Sequence, residues 1–444
     1  MTRLSLTRVF VLGLLAPLAR AEGSQERADP PLAGKDDGLA YEEIEKTTIY
    51  TDNATAPAVH LPPVDGWWDS KICSSDENYC VFTNRRAAKG RGIVAVTRPD
   101  ELEKLEKLEE VINKSENRYL IDDPESTLQE KDLPEYDGLT GLVATKALRR
   151  NKPLFAWTPV LFAHKQMFQK GGPKKKDRTR LLEAAVGFLP PHTRAAFDKQ
   201  RRRPGDNSGL NPRSIEEILK AHPWEVDLGV NWNHRDPDVH SRHYVNFPEA
   251  SVLQHDCRPN TAVYIDSKFT LRATVARKVN PGEALTVSYI DPFLSRKERN
   301  AFVRKYRAPR GPDGKPTHGC RCSACSGPDK DKHEERLKEL LELRGELRNH
   351  DSRKVDFALI ERFVKLVEEE GLHARYAEPY ELAALNFNYY GDDKRAKKYA
   401  DKAVQAGIVE GGLESNDVVA MRIMANDIKG HYSYRYNLKR RGQA

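Results

Sequence analysis

SVLQHDCRPNTAVYIDSKFTLRATVARKVNPGEALTVSYIDPF, residues 251–293, decides how this chain is read. Thr261 to Asp266 and Phe269 to Thr274 alternate in polarity around Ser267-Lys268, which predicts a β-hairpin. Pro281-Gly282-Glu283 is a turn signal opening a further strand, ALTVSYI, that carries Tyr289. Downstream comes HGCRCSAC, where Cys320, Cys322 and Cys325 form C-x-C-x-x-C. Three thiolates are crowded there, whereas a structural zinc site closes with four, so a fourth ligand must come from elsewhere.

Upstream, GLTGLVATKALRRNKPLFAWTPVLFAH (138–164) reads as a strand, a turn at Arg149-Arg150-Asn151-Lys152 and a second strand ending near Pro159. Gly138 and Gly141 flank the strand start and allow a ligand to approach the backbone; Gly90-Arg91-Gly92, ahead of IVAV, is a rival for that role. Between 99 and 119, Leu102, Leu105, Leu108 and Val111 fall on one helical stripe, followed by the acidic, turn-rich IDDPESTLQEKDLPEYDG. The basic stretches GGPKKKDRTR (171–180) and KQRRRPGDNSGLNP (199–212) read as solvated charge runs.

The 444 residues, 39% hydrophobic and 31% charged with 28 Gly and 27 Pro, exclude a wholly disordered, collagen-like or membrane-embedded chain and predict two or three domains. The 73 Lys+Arg against 66 Asp+Glu leave +7, too mild an excess to predict nucleic-acid binding. Residues 1–21 combine Arg3 and Arg8 with the apolar run VFVLGLLAPLA and Ala19-Arg20-Ala21, the pattern of a cleaved signal peptide; a buried first helix or strand is the other reading. The leader implies the secretory route or secretion, with nucleus or cytoplasm the alternative if it does not function. No other stretch reaches the roughly 18 apolar residues needed to span a bilayer. In an oxidising lumen, Cys73 and Cys80 of KICSSDENYC would close a short disulfide loop. Asn53-Ala54-Thr55 and Asn113-Lys114-Ser115 are glycosylation sequons.

From about 331 the pattern turns helical, beginning with HEERLKELLELRGELRNH, where Leu337, Leu340, Leu341 and Leu347 share a face. EPYELAALNFNYYGDDKRAKKYADKAV resembles one tetratricopeptide (TPR) repeat, with Phe387, Ala396 and Ala403 at repeat positions. One unit does not stack alone, so these helices are expected to pack on the preceding domain, as a brace or as a wall of a protein-binding groove.

These blocks, in this order, resemble the SET-domain protein methyltransferases. The family's strand, charged turn and strand ending in Pro match 138–159; its N-H-x-C-x-P-N matches Gln254 to Asn260; its G-E-E-L-T-x-x-Y matches Gly282 to Tyr289; and its post-SET F-x-C-x-C-x-x-C matches His318 to Cys325. The nearest branch looks like fungal SET proteins and the SET-MYND group, without the MYND finger. The resemblance implies an α+β fold: a β-rich SET core (β-clip) at 137–291 with a helical insert at about 160–235, a zinc-bound post-SET segment at 292–328 and a helical, TPR-like region at 329–444, preceded by the leader and an N-terminal region at 22–136.

It also implies chemistry. In this family the Cys of the second block completes the zinc site, which carries over to Cys257 with Cys320, Cys322 and Cys325. One structural zinc would pin the tail across the cofactor cleft. The tyrosine of the third block, Tyr289 here, is the catalytic group of methyl transfer from S-adenosylmethionine to a lysine of a protein substrate, histone or non-histone. Cofactor contacts carry over to Gly138, Gly141, Gln254, His255, Tyr289 and His318. Gln254 replaces the family Asn, Leu139 stands at a strict G-x-G glycine, and His318 replaces an aromatic. The alternative is a catalytically inactive SET-fold protein-interaction module.

Overall fold

The structure, a computed structural model, describes residues 66–440 apart from 115–126, 203–211, 229–240, 312 and 351, together with residue 442. The leader, the Asn53 sequon and Ser115 of the second sequon lie outside the described residues. Asn113 itself is described, and its Oδ1 accepts from the Ala88 backbone N–H at 2.9 Å.

Strands β1 (Trp68–Cys73), β2 (Cys80–Asn84) and β3 (Ile93–Thr97) form an antiparallel meander, and α1 (Leu102–Ile112) follows. A disulfide joins Cys73 to Cys80 across β1 and β2. Next come β4 (Leu128–Leu133), β5 (Leu139–Ala144), β6 (Pro153–Trp157) and β7 (Leu161–His164). The helices α2 (Lys175–Gly187), α3 (Pro191–Lys199) and α4 (Ile215–Ala221) precede β8 (Trp224–Asp227) and β9 (Arg242–Asn246). One six-stranded sheet runs β1-β2-β3-β7-β9-β8, with β3 and β7 parallel.

Residues on opposite faces of this sheet enter different cores, as the two-residue period of a strand requires. Phe82, Ile93, Ala95 and Phe162 join a core shared with Leu142, Trp157, Leu271, Leu285 and Tyr289. Val81, Val94, Val96 and Leu161 face Leu181, Leu182, Phe197 and Ile218 of α2–α4. Both faces are therefore dry, which explains why IVAV reads as a continuous apolar run. The structure differs here from the division expected at 136/137: residues 80–112 share one core with 142–289, because β3 pairs with a strand more than sixty residues away. Such pairing leaves no local signal in the sequence. The predicted stripe on α1 is shifted slightly, with Leu105, Leu108 and Ile112 buried and Leu102 and Val111 at its margins. The expected helical insert takes the form of α2–α4 between β7 and β8.

The remaining strands are β10 (Gln254–His255), β11 (Thr261–Ile265), β12 (Leu271–Val275) and β13 (Thr286–Val287). The predicted hairpin is β11–β12, in register from Thr261 opposite Val275 to Ile265 opposite Leu271, and β12 also pairs with β6. β4 pairs with β5, and β10 lies parallel to β13. Beyond this core come α5 (Arg296–Tyr306), the one-turn α6 (Ser323–Ser326), and the tail helices α7 (Lys330–Arg348), α8 (Phe357–Glu369), α9 (Ala377–Tyr389), α10 (Asp393–Gly411), α11 (Asn416–Asn426) and α12 (Tyr436–Arg440).

The tail has its own apolar core, including Leu337, Leu340, Leu347, Phe363, Phe387, Ala396 and Ala403, with the Phe387 ring stacked on Tyr399 at 5.5 Å. Leu341, expected on the buried face of α7, is 37% exposed; Leu337, Leu340 and Leu347 complete the stripe without it. Against the strands, Ala374 and Val409 of the tail meet Ala262 and Ala276, and buried Glu370 receives Arg258 at 2.7 Å as well as Arg336 and His333. Among the described residues no helix is long and apolar enough to cross a membrane.

Candidate active site and metal centre

The short parallel pair β10–β13 brings together the two motifs on which the chemistry depends, placing Gln254 opposite Thr286 and His255 opposite Val287. Asn260 stitches the junction: its Nδ2 donates to the Ala284 carbonyl at 2.8 Å, and its Oδ1 accepts from the Thr286 N–H at 2.8 Å. His255 then lies between Tyr289 and the cysteines. Its Nδ1 accepts from the Tyr289 backbone N–H at 3.3 Å, so the ring proton belongs on Nε2, which points at Cys257 Sγ 3.5 Å away. Burial, and then the charge of Arg307, depresses His255 to about 3, so the ring is neutral at physiological pH.

Tyr289 is 4% exposed, and its hydroxyl shares its proton between the Ala250 carbonyl at 2.7 Å and the Leu253 carbonyl at 2.9 Å. The ring is walled by His222 at 5.0 Å and Trp224 at 5.7 Å between centroids, while the Arg307 guanidinium lies 4.1 Å from its centroid. Arg307 Nη1 donates to the Ala221 carbonyl at the end of α4. Burial pushes the Tyr289 phenol up to about 12, partly offset by Arg307, so the group remains a phenol throughout the physiological range. Trp224 Nε1 is buried beside it with no hydrogen-bond partner among the described residues. Such a donor marks a place where a ligand or water can complete the polar satisfaction.

The sulfurs of Cys257, Cys320, Cys322 and Cys325 all lie within 4.8 Å of one another. Cys257 is 3.8 Å from Cys320 and 3.7 Å from Cys325, and Cys320 is 3.4 Å from Cys322. The edge of a tetrahedron with Zn–S bonds of about 2.3 Å is about 3.8 Å, so four soft thiolates at this spacing fit zinc. Crowding by the other three thiols raises Cys257 well above the ordinary thiol range, a burden that a dication relieves.

The post-SET segment is also tied at a second point. His318 Nε2 lies 3.0 Å from Asp137, its Nδ1 donates to the Gly319 carbonyl, and Arg321 Nη1 donates to Asp137 at 2.9 Å. Asp137 takes a left-handed conformation next to Gly138, whose φ is +69° and whose missing Cβ would point into open space. A Cβ on Gly141, by contrast, would collide with Leu133 and press on Gln254. Gln254 Nε2 donates to the Thr140 carbonyl at 2.8 Å, so the methylene it has beyond Asn spans to the β5 backbone. Its Oε1 takes no hydrogen bond among the described residues and is available to an ammonium group. An open glycine turn, an amide oxygen without a partner among the described residues and a half-buried imidazole thus lie on adjoining segments, a set that could receive a zwitterionic ligand.

Gly138, Gly141, Gln254, His255 and His318 are therefore linked through Asp137, Thr140 and β10, and His255 joins them to Tyr289 and Cys257. Gly90 and Gly92 flank Arg91, whose guanidinium donates twice to Glu249 ahead of β10, and a Cβ on Gly92 would strike Pro190, beside α3. Asp137, His222, Trp224 and Arg307 are functional neighbours that the sequence motifs do not mark. An acidic residue before a glycine turn is a usable signal for the first, but nothing local places the other three against Tyr289.

A family model described as SET domain matches residues 78–290. A mouse protein named histone-lysine N-methyltransferase SMYD3 is 29% identical over 85 residues, 19% of this chain and 18% of that relative, so the match spans under a fifth of the relative's length. Among solved structures, a humanized mutant of the Chaetomium thermophilum Polycomb Repressive Complex 2 bound to the inhibitor GSK343 is 14% identical, covering 68% of this chain and 33% of that one with a TM-score of 0.18.

Proposed function

This chain belongs to the SET-domain protein methyltransferase family, and we propose that it transfers a methyl group from S-adenosylmethionine to the amine of a lysine in a protein substrate. The observation that carries the reading is the Tyr289 hydroxyl, fixed by two carbonyls within an aromatic wall and linked through His255 to the thiolate cluster.

The bound cofactor supplies an electrophilic methyl group on a sulfonium. The work of the chain is to present a neutral amine to it. A lysine of ordinary pKa about 10.4 is almost entirely protonated at neutral pH, and deprotonating it costs about 4.6 kcal/mol. Tyr289, His222 and Trp224 exclude water from the site, and Arg307 places a fixed positive charge beside it; both disfavour the ammonium form. His222 and His255 are held neutral by burial, and Tyr289 stays a phenol. None of these acts as a strong base, so the amine enters already neutral and Tyr289 orients it. The residues that would hold the cofactor are Gly138, Gly141, Gln254, His255 and His318. Zinc on the four cysteines would hold the post-SET segment that carries His318 in place.

A second reading, a SET-fold binding module without transfer activity, draws on the Gln254 amide nitrogen and the Tyr289 hydroxyl both being satisfied within the chain. We place the protein in the secretory route, a reading supported by the Cys73–Cys80 disulfide. The tail helices are the candidate surface for a protein partner. Calorimetry of the zinc-loaded chain with S-adenosylmethionine separates the two functions: saturable binding heat supports the transferase, and its absence favours the module.

A further inference from the structure

One face of α5 packs on the cysteine cluster. Val303 lies among Cys257, Cys320 and Cys325, and Asn300 Oδ1 accepts from the Cys320 backbone N–H at 2.8 Å. A Cβ on Gly319 would collide with that Asn300 amide, so the glycine lets the chain pass close to the helix as it enters the cluster. Arg299 stands one turn before Val303 on the same face, and it is fully buried although it carries a charge.

A guanidinium taken out of water is strongly disfavoured unless something answers its charge. Arg299 Nη1 donates to the Pro292 carbonyl at 3.4 Å and to the Leu294 carbonyl, which places the group but leaves the charge unbalanced. Its Nε and Nη2 are buried and meet no oxygen or nitrogen acceptor among the described residues. Glu334 stands 3.8 Å from Nη2, and both of its oxygens accept from the Arg296 backbone N–H, at 3.1 and 3.0 Å. Within hydrogen-bonding reach of the guanidinium is Cys325, and Cys257 lies within range of its charge.

The cluster has the opposite need. Zinc on four thiolates carries two net negative charges, and Cys257, Cys320 and Cys325 are buried. Arg258, the other buried arginine beside it, spends its charge on Glu370 at 2.7 Å. We propose that Arg299 is the counter-charge of the metal centre, a positioning residue that donates its N–H groups to the sulfurs and sets how tightly they hold zinc. Partners of this kind, one bond removed from the metal, orient the ligands and tune their donation.

The test uses the full chain and two readouts: the zinc dissociation constant, by competition with a chromophoric chelator, and the cadmium-113 resonance of the cadmium-substituted protein, which reports on the sulfurs directly. In Arg299→Met, which keeps length and loses charge, the zinc dissociation constant should rise between about tenfold and a hundredfold and the cadmium resonance should move. Arg299→Lys, which keeps the charge but not the fork, should fall between. Ser295→Ala serves as the control for mere loosening of α5, because it breaks the Ser295–Glu298 capping box without touching a sulfur. It should lower the melting temperature yet leave the zinc dissociation constant within about threefold of wild type, with the resonance in place. Either an unchanged dissociation constant or an unmoved resonance in Arg299→Met overturns the inference, and so does a Ser295→Ala that releases zinc as readily. If Arg299→Met does not fold, the same two readouts on Arg299→Lys decide. Because this role rests on the zinc reading of the four cysteines, a wild type that takes up no zinc sinks both, whereas a zinc-bearing wild type with an indifferent Arg299→Met sinks only the counter-charge.

Discussion

The two groups of cysteines do opposite work. Cys73 and Cys80 are seven residues apart and close a loop at the edge of the six-stranded sheet. Cys257 stands 63 residues before Cys320, and its cluster fastens the post-SET segment to β10 and, through His255, to Tyr289. The first link restrains a stretch that is already a β-hairpin. The second restrains a segment that, among the described residues, His318 and Arg321 also tie to Asp137 beside the glycine strand, so function should depend far more on the second than on the first.

Three experiments break or sharpen this comparison. The largest effect belongs to Cys257→Ser, which should release the zinc as readily as Cys322→Ser and forfeit an apparent binding free energy of roughly 10 kcal/mol. Metal analysis should fall from about one zinc per chain toward none, with proteolysis quickening at the segment before Cys320. Retention of zinc by Cys257→Ser would break the link between the two blocks. The disulfide comes next. Removing it by Cys73→Ser and Cys80→Ser together should lower the unfolding free energy by about 2.5 kcal/mol, the chain-entropy value for so short a loop, and leave zinc content and cofactor affinity alone. A loss of zinc in that variant would show that the two sites are coupled.

The smallest effect, counted per pH unit, is the acid response of the sheet to which the disulfide belongs. His243 on β9 is fully buried, with Nδ1 donating to Ser241 O and Nε2 2.7 Å from Thr97 Oγ1, and burial lowers it to about 3. Between about pH 6.5 and 3 the unfolded chain binds a proton that the folded one does not, so stability should fall as pH falls through this window, by about 1.4 kcal/mol per unit for this group. It should level off below 3 and be flat above 6.5. In denaturant titrations His243→Gln should show a shallower slope by about one proton; an unchanged slope would mean that His243 is protonated in the folded state.

What could be read in the sequence follows from how local each signal is. The β11–β12 hairpin announces itself by alternation around Ser267-Lys268, and Cys73 and Cys80 by their spacing downstream of a leader-like segment. The C-x-C-x-x-C run points to a metal by itself, but Cys257 could be joined to it only through the family resemblance, since no pattern within one segment reports a contact 63 residues away. The parallel pairing of β3 with β7 escaped for the same reason, and with it the extent of the sheet. Arg307 illustrates the limit. In sequence it is one of several basic residues around α5, and only the fold turns its guanidinium onto the Tyr289 ring rather than into solvent. Leu341 shows the converse, an apolar residue near a helical stripe that ends up facing out because its neighbours fill the seam.

The central claim is that the Tyr289 hydroxyl acts in the transition state of methyl transfer. Tyr289→Phe keeps the ring among His222, Trp224 and Arg307 and removes only the oxygen held by Ala250 and Leu253. Rates with a lysine-bearing protein substrate, measured beside calorimetric affinity for S-adenosylmethionine, should show transfer reduced roughly a hundredfold or more with cofactor affinity nearly unchanged. A wild type that binds cofactor and methylates lysine, matched in rate by Tyr289→Phe, would contradict the account.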